Sequence, residues 1–157
     1  MNLGRGRLQR PALFAASLVG QLLFDQANKI VLVPFPEKLT RANFDLADTA
    51  LAMFMAQRGS VDTIIDFSNA REDVDTSVIV ARAYAPWPAR EKRHVFIVSS
   101  DLMEGVFRMY VFHHAAAGFG AAQIVRSLDG AVAALGATNA VFDPIGSSGG
   151  LQAWPGA

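Results

Sequence analysis

Residues 61–77 read VDTIIDFSNAREDVDTS. The run from Thr63 to Phe67 is β-branched, apolar and bounded by polar residues, the pattern of a buried strand. The chain then enters a polar, acidic loop. Asp75-Thr76-Ser77 closes it with the residue types that cap a helix start. In open α/β sheets, ligands and regulatory groups collect where strands deliver the chain to helix N-termini.

Upstream, Leu22–Phe24 and Ile30–Phe35 are apolar runs separated by Asp25-Gln26-Ala27-Asn28-Lys29, which predicts an antiparallel hairpin. Pro34 and Pro36 end the second strand or place it near an edge. Thr40 caps a helix whose apolar face is Phe44, Ala47, Leu51, Phe54 and Met55, and Gly59 stops it. Downstream, a second helix starts at Asp75 or Thr76 and is halted by Pro86 and Pro88. His94–Ser99 reads as another buried strand. Ser100-Asp101 caps a third helix running to about Ala116, with Asp101 and Glu104 spaced like a capping box. That helix is apolar nearly all round, as a buried or partner-covered helix is. Ala121–Val125 is the last predicted strand, and Ser127 caps a fourth helix that Gly136 stops. The order β-β-α-β-α-β-α-β-α predicts an α/β fold. It has a mixed, mostly parallel sheet of about five strands, an N-terminal β-hairpin and four helices. The expected organisation is an extension at 1–20, a domain at 21–136 and a flexible tail at 137–157.

With 157 residues and 52% hydrophobic composition, the chain is long and apolar enough for one well-packed core. Fourteen basic residues balance fourteen acidic ones, which argues against a nucleic-acid partner and leaves little charge repulsion against self-association. The absence of cysteine excludes disulfides and thiolate chemistry. Arg5, Arg7 and Arg10 precede the apolar run PALFAASLVGQLLF, as in a signal peptide. The run lacks a small-x-small cleavage site and is too short to span a bilayer. A cytoplasmic protein with no stable membrane span is expected.

No cofactor, metal or catalytic motif is legible. His113 and His114 are adjacent on a helix and point about 100° apart, so they cannot share a metal as an i, i+4 pair would. Asp66, Glu72, Asp73 and Asp75 surround a strand end. The acidic pair after the first strand and the late lysine of a magnesium-dependent phosphoacceptor are missing. No G-x-S-x-G elbow or phosphate-cradling glycine loop occurs. Arg90, Lys92 and Arg93, with Glu91 among them, read as a solvated loop. The chain is therefore expected not to be an enzyme. Thr76 and Ser77 are hydroxyls at a helix start, where free N–H groups and the helix dipole favour a phosphate. A phosphate beside Asp73 and Asp75 would also repel them.

Ile64-Ile65-Asp66-Phe67-Ser68 followed by Asp75-Thr76-Ser77 resembles the strand and switch loop of a STAS-type domain, the fold of anti-sigma-factor antagonists. The loop is about one residue longer than usual, and Val78 stands where that family has glycine. Further short stretches resemble a poorly characterised bacterial branch: Phe24–Val33, Leu39-Thr40, Val98–Met109 and Ile124–Gly136. The resemblance spans about Gln21 to Gly136. It implies a signalling module that binds a protein partner through Asp66, Asp75, Thr76 and Ser77, with Thr76 or Ser77 as phosphorylation candidates. Two other readings start from the apolar third helix, with Met103, Phe107, Arg108 and Tyr110 as interface or ligand-facing residues. One is a carrier of a small apolar ligand or lipid, and the other is a homodimeric module.

Overall fold

The computed structural model describes residues 21–88 and 92–145. The extension expected at 1–20, part of the Pro86–Arg93 loop and the tail from 146 onward lie outside these. The elements run β1 (Leu23–Asp25), β2 (Ile30–Pro34), α1 (Arg41–Arg58), β3 (Asp62–Asp66) and α2 (Thr76–Ala83). They continue through β4 (His94–Ile97), α3 (Asp101–Ala116), β5 (Gln123–Val125), α4 (Leu128–Ala134) and β6 (Asp143–Pro144). The sheet order is β5-β4-β3-β2-β1-β6. Strands β2 to β5 are parallel, β1 is antiparallel to β2, and β6 is antiparallel to β1. This is the α/β sheet with an N-terminal hairpin and four helices that the sequence pattern predicts.

The steps β2→β3→β4→β5 all go the same way across the sheet. Crossovers between parallel strands are right-handed, so α1, α2 and α3 must fall on one face. They do. Phe44, Leu51 and Phe54 of α1, Ile79 and Ala83 of α2, and Met103, Phe107 and Tyr110 of α3 share one core with Val31, Val33, Ile65, Phe67 and Phe96. The alternate strand residues Ile30, Leu32, Ile64, Val95 and Ile97 form a smaller core on the other face, with Ala131 of α4 and with Leu135. The strand order never reverses within the parallel set, so no topological switch crevice opens between its strands.

Phe67, just past β3, is the hub of the larger core. Its ring lies 4.8 Å from Phe35, 4.3 Å from Phe107 and 5.5 Å from Phe96. Local chemistry sets the helix ends. Thr40, Asp75, Ser100 and Ser127 each accept a backbone N–H of the first turn. Gly59, at φ 81°, ends α1 by donating to Met55 O. The capping box expected at Asp101 and Glu104 does not form. Ser100 is the cap, and both acids bond Arg126 instead.

Part of the segment expected to be a flexible tail forms the sixth strand. Asp25, at the end of β1, ties it down. One carboxylate oxygen accepts the N–H groups of Ala27 and Asn28, closing the hairpin turn. The other accepts from the Asn28 side chain and from Val141 N–H, so the hairpin also anchors the approach to β6. Burial pushes the Asp25 carboxyl up, but these four hydrogen bonds outweigh it and leave its pKa below the ordinary carboxylate value. Sequence patterning misses β6 because two residues ending in proline carry no strand signal.

Two outcomes follow from these anchors. Phe67→Ala should cost about 3–5 kcal/mol in urea unfolding, the range for a fully enclosed aromatic residue. Asp25, with its folded pKa depressed, contributes stability above the ordinary carboxylate range. That contribution is lost as pH falls through the lowered folded value. Asp25→Asn should thus be less stable than wild type at ~pH 7, with the gap narrowing toward ~pH 3 in paired melts.

Candidate functional site

The loop from Phe67 to Asp75 is held at its base and displayed at its tip. Phe67 N–H donates to Ile97 O and Ala70 N–H to Phe67 O, and both side chains are buried. Arg71 N–H donates to Glu37 O, which joins this loop to the one after β2. Between these anchors Ser68, Asn69, Arg71, Glu72 and Asp73 are exposed, as are Asp75, Thr76 and Ser77. Asp66 turns its carboxylate back to accept Ser68 N–H at 2.8 Å, so it shapes the loop's entry. Asp75 accepts Ser77 N–H at 2.9 Å and the Ser77 hydroxyl at 2.6 Å, both on one oxygen. The bond from the Ser77 hydroxyl, then that from Ser77 N–H, holds the Asp75 carboxyl below its usual pKa. Asp75, Thr76 and Ser77 thus sit together at the start of α2, while Asp66 ends β3 on the other side of the loop in a turn-forming role. Among the described residues no group of three or more histidines and carboxylates is placed to hold a metal ion.

A groove of ≈ 400 Å³ runs beside Ser77, between the start of α1 and α2. Phe44, Val78 and Ala81 give it apolar carbon, and Arg41, Asp45 and Ser77 give it polar groups. Its α2 wall is fixed by Arg82, buried at 7% exposure. The guanidinium of Arg82 bonds Asp48 of α1 at 2.7 Å and Ala85 O at 3.1 Å, and lies 5.0 Å from the Trp87 ring centre. Burial pushes the Asp48 carboxyl up against the pull of Arg82. Trp87 in turn stacks on His94 at 4.5 Å. The stretch from Pro86 to Arg93 reads in sequence as a polar, proline-rich loop; the large aromatic inside it, Trp87, is the available signal that part of it is core.

The third helix departs from expectation. Met103, Phe107 and Tyr110 are at most 2% exposed and pack into the core, so they offer no surface to a partner. Burial pushes the Tyr110 hydroxyl far above its ordinary pKa. Arg108 is exposed and pairs with Glu104, which also bonds Arg126. Those two arginines, Arg126 first, hold the Glu104 carboxyl below its usual value. His114 is buried, with Nδ1 2.8 Å from Ala83 O, so that nitrogen carries the proton. His113 meets the Tyr84 hydroxyl at 3.1 Å. The two histidines therefore point different ways, as their adjacency requires.

No protein-family model, curated protein or solved structure matches this chain. Among the described residues no helix is long and apolar enough to cross a membrane.

The Asp48–Arg82 pair gives a direct test of how the groove is held. Asp48→Ala leaves a buried guanidinium short of its counter-charge and should cost about 2 kcal/mol in chemical unfolding. That is below the full penalty for a buried pair because the Asp48 side chain keeps 29% exposure.

Proposed function

We propose that this chain is a non-enzymatic regulatory module with a STAS-like fold, acting in bacterial cytoplasmic signalling. It binds a partner protein through the Phe67–Asp75 loop and the first turn of α2. The observation that carries this reading is the loop's construction. Buried Phe67 and Ala70 and the Arg71–Glu37 backbone bond fix its base, while Glu72, Asp73, Asp75, Thr76 and Ser77 face solvent beside the groove. A preorganised, exposed loop loses little conformational entropy on binding. Its three exposed carboxylates, with Arg71 alone of opposite sign, favour a partner with a basic segment.

Phosphorylation of Thr76 or Ser77 fits this reading as the control. The Ser77 hydroxyl already donates to Asp75. A phosphate there removes that donor and sets about −1.5 to −2 charges against the Asp75 carboxylate. The first turn of α2 then rearranges and the partner leaves.

The test is affinity capture with the full chain as bait, comparing wild type, Thr76→Ala/Ser77→Ala and Glu72→Lys/Asp73→Lys. A protein held by wild type, lost with the lysine variant and recaptured as a purified component supports the reading. Identical captures by all three chains reject the loop as a recognition surface.

A further inference from the structure

Helix α3 has two apolar faces, and among the described residues the core takes chiefly one. Met103, Phe107, Tyr110 and His114 point into the core. On the outer face Leu102, Gly105, Phe112 and Ala116 are exposed, and with Met109, which is half-buried against the larger core at the edge of this face, they recur at alternating spacings of three and four, the pattern of a helix-docking seam. Leu102 is 54% exposed and Phe112 70%, the highest value for a large hydrophobic residue among those described. The same face carries a shallow, open hollow lined by Asp101, Glu104, Gly105 and Arg108. Those positions are i, i+3, i+4 and i+7, the four corners of a knobs-into-holes hole. Gly105 is its floor, with nothing within 4 Å of where a Cβ would sit.

We infer that α3 is the contact surface for a second copy of this chain, docked antiparallel, with each Phe112 seated in the hollow over the other copy's Gly105. Phe112 and Gly105 lie seven residues apart, two helical turns. A two-fold axis passing close to Met109 exchanges them, so both knobs and both hollows are filled at once. That self-complementarity is what a closed, isologous dimer requires. The same operation sets Leu102 against Ala116, large against small, and Met109 beside its own copy.

Charge agrees with shape. Arg108, with its side chain 73% exposed, borders the hollow and places a cation where the negative face of the incoming ring arrives. The acids of the hollow are already balanced, Glu104 by Arg108 and Arg126, and Asp101 by Arg126. Antiparallel packing also opposes the two helix dipoles, bringing the acidic first turn of one copy toward the last turn of the other, where His113 sits. The chain's net charge is zero, so no long-range repulsion opposes the approach. One helix face per copy buries ~1,000 Å² in total, the low end for specific association. The dimer is therefore weak and concentration-dependent. It does not rest on the proposed loop function, since it uses none of that loop's residues.

Sedimentation velocity on the full chain from ~1 to ~200 µM tests this. The expected result is a monomer–dimer equilibrium weakened at least ~100-fold by Phe112→Asp. Gly105→Leu should abolish dimerisation while leaving the fold intact, because it fills the hollow and removes a helix-weakening glycine. Since the chain has no native cysteine, Leu102→Cys mixed with Ala116→Cys should cross-link through a short reagent. Leu102→Cys alone should not, its two copies lying ~20 Å apart along antiparallel helices. A wild type that stays monomeric throughout, or that instead sediments with lipid vesicles, overturns the inference. So does a dimer indifferent to both Phe112→Asp and Gly105→Leu.

Discussion

Right-handed crossover is the constraint on which the rest of this molecule depends. Three parallel steps in one direction leave three helices no choice but to share a face. That face accumulates the aromatic core around Phe67, while among the described residues the reverse side is covered by one short helix, α4, and the stretch leading to β6. The asymmetry also removes the crevice that doubly wound sheets offer between diverging helices.

Within the thick layer, polar groups organise the seams that apolar packing alone would leave loose. Asp48 of α1, Arg82 of α2, Trp87 and His94 of β4 form a continuous relay of ion pair, cation–π contact and ring stacking. A guanidinium suits that position because its flat face stacks on Trp87 while its edge serves a carboxylate and a carbonyl. The groove beside Ser77 takes its shape from this relay, so its geometry is tied to the core and not to surface side chains alone.

Much of this architecture was legible from the sequence. The hairpin, the helix caps at Thr40 and Ser127, the Gly59 stop and the start of α2 at Asp75 all follow from local residue chemistry acting over a few positions. What was not legible depends on contacts distant in sequence. Asp25 looks like a turn residue until Val141 N–H is brought to it from 116 positions away. Trp87 hides among prolines. The inward face of α3 could not be chosen by periodicity because that helix is apolar on nearly every side. Its true core stripe even includes His114, which polarity alone would have turned outward. At the candidate site, the places of Asp66 at a strand end and of Asp75, Thr76 and Ser77 at a helix start were foreseeable from local residue chemistry. The groove was not, because it arises where α1 passes α2.

Ile145 N–H donates to Leu22 O, so the two ends of the described body lie side by side. Strand β1 enters, and β6 leaves, at the end of the sheet where the parallel strands finish. That is also the end that carries the acidic loop, two or three strands away, or roughly 10–15 Å. A segment that continues from either end of the described body therefore starts within that distance of the loop. A tether of that kind raises effective concentration toward the millimolar range. Binding in cis would then compete with binding in trans, and the length of the joining segment would set which one wins.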